Sequence, residues 1–222
     1  MLQEEGIERI PGAHCYEFFA SPGVFAALSE AEPGTFYLTD FLLRHFERLV
    51  IRPLGLDVFH DRAREGRLAA DAPILAQREH CRFYSELCKP LVTRVPTRWV
   101  AGFHAADQAA QVDPELFLIH LKYADYDDAM RRLEITSTMK WSKRAIESGW
   151  GKRHRADKNE ITRNFFDAPA ARLAHEGGSE LDPRALAESV NRGLTQAHGV
   201  WRCPPIAGNK LYLIPKWLKS AL

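Results

Sequence analysis

The sequence predicts an α/β fold, and three observations carry that prediction. Leu116–Ala124 is a continuous apolar run with one histidine inside, which is typical of a buried strand. The stretch Leu49–His60 is rich in β-branched and aromatic residues, as strands are. Segments of helical periodicity with charged faces accompany both. This mixture indicates an α/β or α+β architecture, and we adopt α/β.

The first elements follow from local signals. Ser21-Pro22 predicts a helix start, with serine as the N-cap and proline at the first helical position. The stretch Leu49–His60 predicts a strand that Pro53 and Gly55 interrupt, since proline lacks an N–H and glycine favours bends.

Later segments are assigned in the same way. Residues 74–84 predict a further extended piece, and Lys89–Asp107, with alternating apolar residues and two prolines, predicts short edge strands and a turn. Residues 125–150 predict a helix, because acidic residues come first and basic residues later. Asp182-Pro183 caps another helix, and the apolar tail 210–222 is expected to dock on the core.

Composition restricts the class of partner. The chain has 222 residues, 45% of them hydrophobic and 27% charged, which is close to the globular norm and excludes wholesale disorder. Seven Lys or Arg residues lie between Lys140 and Lys158, but the formal net charge is only +1. We therefore expect no nucleic-acid partner and interpret this basic cluster as a solvated helix face or an anion contact.

The cysteines indicate the compartment. The four of them, Cys15, Cys81, Cys88 and Cys203, form no C-x-x-C pair, which disfavours a zinc site. With no signal peptide at the start, reduced thiols in a cytoplasmic protein are the expected state. No apolar run approaches the ~20 residues of a membrane-spanning helix.

Four residues in the second and third quarters of the chain carry side chains suited to ligand binding. His120 lies inside the apolar strand and Lys122 falls on the same strand face. A buried histidine bonded to a backbone carbonyl is the more common case, but a charged helix follows at once, which is typical of a phosphate or metal corner. His104 follows a glycine, and Lys89 precedes a proline. Each is either a substrate contact or an ordinary loop residue.

The segment "IPGAHCYEFF" (10–19) places four chemically capable side chains in a row, His14, Cys15, Tyr16 and Glu17, between apolar flanks. Such a loop at a strand end is typical of a metal or phosphate site, or of a site that has decayed.

Several segments resemble a bacterial branch of the family 2-like glycosyltransferases, of the nucleotide-diphospho-sugar transferase superfamily. The resemblance covers about residues 8–135. The segments that carry it are "IPGAHCYEFF", "PLGLDVFHDRARE", "PILAQREHCRFYSELCKPLVTRVPTRWVAGFHAAD" and "DPELFLIHLKYADYDDAMRR".

The resemblance implies a GT-A, Rossmann-like sheet with flanking helices. In that family an Asp-x-Asp loop holds Mn²⁺ or Mg²⁺ on the diphosphate of a nucleotide sugar. His14 and Glu17 stand at the loop and His120 at a late-strand position, so they are the implied metal ligands. Lys89 and His104 match positions near the donor or acceptor cleft, and Lys122, on the same strand face as His120, is expected to be a further substrate contact.

The loop departs from the family pattern. When the segment is aligned on "EFF", His14 replaces the first aspartate of the Asp-x-Asp loop and Tyr16 replaces the second. Glu17 is then the only acidic residue left in the loop. Histidine and tyrosine are poor ligands for hard cations. The donor-binding strands that precede this loop in the family are also expected to be missing. We therefore predict a partial GT-A-like domain over 1–135 and a helical C-terminal extension over 136–222.

Two function classes follow. The first is sugar transfer from a nucleotide sugar to an acceptor hydroxyl, by a protein whose activity the altered loop puts in question. The alternative is a non-catalytic remnant that binds carbohydrate or a partner chain. A shortened sheet leaves an edge strand to be covered, which favours a homodimer or a partner.

Overall fold

The computed structural model describes residues 16–21, 23–24, 27, 49–59, 69, 74–100, 104–147, 152, 155–206 and 210–219, and all structural statements below concern these residues. Gly23 and Val24 are helical, in line with the helix predicted after Ser21-Pro22. Strands and helices are both present, so the mixed α/β class is confirmed.

The main sheet has the strand order β1-β6-β2-β3-β9, with β4 pairing on one end of β2. Its strands are β1 (Tyr16–Ala20), β2 (Val50–Phe59), β3 (His80–Phe83), β4 (Val92–Thr93), β6 (Val112–Tyr123) and β9 (Leu211–Leu213). The two long central strands, β2 and β6, run parallel, and every other pair in this sheet is antiparallel. The predicted buried strand around His120 is confirmed as part of β6.

A smaller sheet has the order β5-β8-β7, formed by β5 (Ala105–Ala106), β7 (Thr195–Ala197) and β8 (Val200–Arg202). The hairpin between β7 and β8 turns at His198 and Gly199, both with positive φ. The short edge strands predicted between residues 89 and 107 are therefore present as β4 and β5.

Strand β2 corrects the prediction that Pro53 and Gly55 interrupt it. The strand continues through both, with a register shift between Pro53 and Leu54. On one side of β2, β4 pairs only with Val50 and Ile51, and β3 pairs only with residues from Leu56 onward. Pro53 lies between these two pairings, so its missing N–H costs no hydrogen bond to either strand. At Gly55 an added Cβ would lie 2.4 Å from Leu87 Cβ, so glycine lets the following turn pack against the strand.

Helices follow or flank the strands. Helix α1 (Tyr126–Ser137) begins at Asp125, whose side chain accepts a hydrogen bond from the Asp128 amide. Asp182 caps the Pro183–Arg192 helix in the same way, as predicted. In chain order the remaining helices are α2 (Lys143–Glu147), α3 (Lys158–Thr162), α4 (Ala168–Glu176), α5 (Pro183–Arg192) and α6 (Lys216–Lys219). Two 3-10 turns (Ile74–Gln77, Ser85–Leu87) and a π-helical segment (Arg163–Asp167) complete them.

Two apolar clusters form the core. The larger contains Leu54, Leu56 and Phe117 from the central strands, with Val190 of α5 and Leu218 of α6. The smaller joins Phe59 and Tyr123, at the ends of β2 and β6, to Phe165 and Phe166 of the π-helical segment. The predicted docking of the C-terminal tail is therefore confirmed, since Leu218 is 1% exposed.

The proposed division into residues 1–135 and 136–222 stays a prediction. Its boundary falls inside α1, and the second part supplies β9, which pairs with β3 in the main sheet. None of the described helices has the length and apolar character needed to cross a membrane.

Candidate functional site

Three charged or polar side chains lie side by side across the middle of the main sheet. In the parallel pair of β2 and β6, Asp57 stands opposite His120, and in the antiparallel pair of β2 and β3 it stands opposite Arg82. Residues opposite each other on neighbouring strands project from the same face. We call His120, Asp57 and Arg82 the charged row.

The charged row is tightly hydrogen-bonded. Nδ1 of His120 lies 2.7 Å from Oδ1 of Asp57. Nε and Nη2 of Arg82 both donate to Oδ2 of the same carboxylate, at 2.9 and 2.5 Å. Asp57 is 2% exposed and His120 8% exposed. Both carboxylate oxygens are therefore occupied by cationic or N–H partners away from solvent.

These contacts keep Asp57 ionised. Burial on its own raises the pKa of the Asp57 carboxyl, but the hydrogen bond from His120 and the positive charge of Arg82 outweigh it. The pKa therefore lies below the ordinary value of 3.8. An ionised carboxylate only accepts hydrogen bonds, so Nδ1 of His120 carries the proton in this contact.

Aromatic rings flank the charged row on the side of the strand ends. The guanidinium carbon of Arg82 lies 5.1 Å from the Phe165 ring centroid and 5.7 Å from that of Tyr84. The Tyr123 ring stacks on Phe165 at 4.0 Å and lies edge-on to His120 at 6.1 Å. Phe165 belongs to the π-helical segment, a distortion that is frequent at functional sites.

The charged row lies near the carboxyl ends of the two parallel strands. Asp57 is two residues from the end of β2 and His120 three from the end of β6, after which Asp125 caps α1. In open parallel α/β sheets, ligands bind at the carboxyl ends of the strands, and β2 and β6 are the parallel pair of this sheet. The first residue of β1, Tyr16, stands opposite His120 in register, so β1 begins beside the charged row.

Two of the predicted substrate contacts flank one turn. His104 Nδ1 lies 2.6 Å from the carbonyl oxygen of Glu86, in the 3-10 turn Ser85–Leu87. Lys89 follows this turn and is 8% exposed, so it is a buried lysine rather than the exposed one that its sequence context favours. The third, Lys122, is half-buried on β6 with Nζ 5.3 Å from the Tyr123 ring centroid.

The predicted metal ligands are only partly described. His14 lies outside the described residues, and Glu17 stands in register opposite Ile119, one position away from the Tyr16–His120 pair. The described carboxylate nearest His120 is Asp57, and both of its oxygens are already bonded. The described residues contain no group of three or more His, Cys, Asp or Glu side chains that could hold a metal ion, and the metal site stays a prediction.

Of the charged row, only His120 is predicted from the sequence as a site residue, and Asp57 and Arg82 are not. Asp57 in "GLDVF" and Arg82 in "HCRF" are single charged residues inside strand-like apolar stretches. A charge at such a position is a signal for a buried partner of opposite sign, because an unpaired charge there is costly. The pairing itself depends on strand register, which the sequence alone did not provide.

Comparisons with family models, with curated proteins and with solved structures found no match for this chain.

Proposed function

We propose that this protein is glycosyltransferase-like, and that it binds a nucleotide sugar and an acceptor hydroxyl beside the charged row. The observation that carries the proposal is the contact of His120 with the buried, ionised Asp57 near the carboxyl ends of two parallel strands. The sequence resemblance supplies the reaction class, and the charged row supplies a base that the sequence alone left unnamed.

The chemistry follows from the hydrogen bonds. Arg82 fixes the carboxylate of Asp57, and the carboxylate fixes the ring of His120 through Nδ1. In the neutral ring the lone pair is then on Nε2, so any proton exchange with a substrate runs through that atom. A histidine oriented by a carboxylate in this way is a common arrangement for a general base.

In the proposed transfer, the acceptor oxygen attacks the anomeric carbon of the donor sugar. A new carbon–oxygen bond forms, the bond to the diphosphate breaks, and the hydroxyl proton passes to His120. The nucleoside diphosphate leaves with added negative charge, which Lys89 and Lys122 are proposed to offset. The described residues include no group of three or more potential metal ligands, and the transfer is therefore derived from the chain's own side chains.

A second candidate function is carbohydrate or nucleotide-sugar binding without transfer. The observation that favours it is the "HCYEF" segment, which keeps one carboxylate where the family pattern has an acidic set. The carboxylate of Asp57 does not replace the missing acidic residues of this segment, because it is already paired with Arg82. Such a protein is expected to bind ligands at the same edge of the sheet and to release no nucleoside diphosphate.

Calorimetric titration with UDP- and GDP-sugars, with and without Mn²⁺, tests the binding step. We expect weak binding that Mn²⁺ strengthens little, because His14 and Tyr16 are poor ligands for a hard cation. A low-micromolar, Mn²⁺-dependent Kd would contradict our interpretation of the loop. Failure to bind any nucleotide sugar or saccharide would contradict the proposal itself.

Release of nucleoside diphosphate in the presence of saccharide acceptors separates the two candidates. If the protein transfers sugar, His120→Gln is expected to lower the rate by about 10²-fold or more, the usual contribution of a general base. The matched control is His175→Gln, at an exposed histidine of α4. Binding without measurable release would favour the second candidate.

A further inference from the structure

A second cluster, made of Arg52, Cys88 and Cys203, lies on a different part of strand β2. Arg52 Nη1 donates to the carbonyl oxygen of Cys88 at 2.8 Å and to Sγ of Cys203 at 3.1 Å. Sγ of Cys203 in turn lies 3.7 Å from the same Cys88 carbonyl oxygen. Cys88 follows the Ser85–Leu87 turn, and Cys203 follows β8. The fold thus brings together two cysteines that are 115 residues apart in the chain.

Arg52 is a buried cation whose bonding is incomplete. It is 0% exposed, and its Nε and Nη2 have no hydrogen-bond partner in the described part of the chain. Its partners there are a carbonyl oxygen and a thiol, and the ion pairs of the described residues do not include it. Arginine does not deprotonate in proteins, so its charge favours a negative group at Cys203.

The two thiols differ in access and acidity. Cys88 is 0% exposed, and its sulfur accepts a hydrogen bond from the Gly55 amide at 3.2 Å. Burial raises the pKa of Cys88. Cys203 is only half-buried. A hydrogen bond from the Cys88 thiol, aided by the charge of Arg52, outweighs burial and lowers the pKa of Cys203 to about 7.

We propose that Cys203 is a peroxide-reactive thiol and that Cys88 resolves its oxidised form into a Cys88–Cys203 disulfide. Cys203 has a half-buried sulfur that accepts from a buried guanidinium, and this sulfur lies 3.7 Å from the backbone carbonyl oxygen of the fully buried Cys88. Reactive cysteines occupy such electropositive, partly exposed positions, often with a resolving cysteine nearby. This inference concerns residues outside the charged row and goes beyond the proposed transfer function.

The chemistry is balanced with a hydroperoxide as the oxidant. The Cys203 thiolate attacks the terminal peroxide oxygen, a sulfur–oxygen bond forms, and the oxygen–oxygen bond breaks. The alkoxide or hydroxide that leaves takes up a proton, which gives a sulfenic acid at Cys203. Cys88 then loses its proton and attacks this sulfur, the sulfur–oxygen bond breaks, and water leaves. Two thiols and one peroxide give one disulfide, one alcohol or water, and one further water.

Arg52 has a place in the first step. Nε and Nη2 of Arg52 have no partner among the described residues, and a guanidinium next to the attacking sulfur is suited to hold the peroxide oxygens as negative charge moves onto the leaving oxygen. Arg52 is thus a positioning and charge-stabilising residue for the reaction at Cys203.

Cys81 provides the contrast within the same chain. It is 0% exposed, and burial, together with the negative charge of Asp57, raises its pKa to about 12. It is therefore protonated and shielded at neutral pH. Cys81 is therefore expected not to react with peroxide, and it serves as the internal control.

The first experiment treats the native full-length protein with a few equivalents of hydrogen peroxide, blocks the free thiols and maps the peptides by mass spectrometry. We expect a Cys88–Cys203 linkage that dithiothreitol reverses. It is expected to be absent from Cys88→Ser and Cys203→Ser and unchanged in Cys81→Ser. Cys88→Ser should instead retain a sulfenic acid at Cys203 that dimedone labels. No linkage under these conditions, or a linkage to another cysteine, would overturn the proposal.

A second measurement is made first on the native protein, so that its main result does not depend on the folding of a variant. The rate of iodoacetamide alkylation at Cys203, followed by peptide mapping in the native protein, is expected to rise through a midpoint near pH 7. In Cys88→Ser the midpoint is expected to shift, because a serine hydroxyl replaces the thiol hydrogen bond. A midpoint at the ordinary cysteine value in the native protein would contradict the assignment.

Discussion

At the residue scale, the charged row decides whether this protein has a site or only a buried ion pair. Asp57 is desolvated, and it is held by two partners that occupy both of its oxygens. Taking one member away leaves the others buried without compensation, which is more costly than the intact group is stabilising. A structural role and a catalytic role therefore both predict a strong effect on stability, and only readouts at the His120 ring separate them.

Asp57→Asn is expected to lower the free energy of unfolding by about 3 kcal/mol or more, because the charge of Arg82 loses its buried counter-ion. The measurement is denaturant unfolding followed by circular dichroism. The matched control is Asp128→Asn, whose partner Arg131 is 54% exposed and whose loss is expected to cost no more than about 1 kcal/mol. If the two substitutions lowered the free energy of unfolding equally, the charged row would contribute no more to stability than an exposed ion pair.

The lowered pKa of Asp57 also predicts how stability depends on pH. Its pKa in the folded protein lies below the ordinary value of 3.8. The stabilisation is therefore present above that value and is lost as pH falls through the lower, folded pKa. Between about pH 5 and about pH 2, the free energy of unfolding should fall more steeply in the native protein than in Asp57→Asn. Parallel curves for the two proteins would contradict this assignment.

At the element scale, strand β2 positions both clusters. Its charged end carries Asp57, its other end carries Arg52, and Gly55 between them receives the Ser85–Leu87 turn. The sequence predicted a strand here but broke it at Pro53 and Gly55. What the sequence did not show is that β4 ends before Pro53 and that a turn packs on Gly55, both of which are tertiary contacts.

Gly55→Ala is expected to displace this turn. An added Cβ would meet Leu87 Cβ at 2.4 Å and the Leu87 carbonyl carbon at 2.5 Å, so backbone has to move. We expect the free energy of unfolding to fall by about 1–3 kcal/mol, as it does for overpacked cores. We also expect altered NMR chemical shifts at His104, because its Nδ1 bonds to the Glu86 carbonyl oxygen in this turn.

Gly23→Ala is the matched control, because its nearest contact would be an ordinary 3.8 Å to Ser21 Oγ. An Ala variant at Gly55 as stable as the native protein, with the His104 signals unmoved, would contradict the packing described for this turn.

At the scale of the whole molecule, distant parts of the chain complete one sheet. β9 pairs with β3, and α5 packs against β6 through the larger core cluster. The sequence predicted that the tail docks, since it is apolar, but not that it adds a strand. A three-residue strand such as "LYL" has too little periodicity to be recognised, and its partner lies more than 120 residues earlier.

A fragment of residues 1–135 is therefore expected not to fold by itself. It lacks β9 and leaves Leu56, Phe117 and their neighbours without the buried side chains of α5 and α6. Thermal unfolding of this fragment, followed by circular dichroism beside the full chain, should show no cooperative transition. A sharp transition in the fragment would instead support the division at residue 135.

The most direct test of the central claim is the ¹⁵N-resolved NMR spectrum of the histidine rings in the full-length protein. Neutral His120 is expected to carry its proton on Nδ1, bonded to Asp57. The His120 ring signals are also expected to shift when a UDP- or GDP-sugar and a saccharide acceptor are added, while those of exposed His175 do not. A proton on Nε2, or His120 signals that stay fixed with every ligand, would contradict this claim and leave the charged row as a structural ion pair.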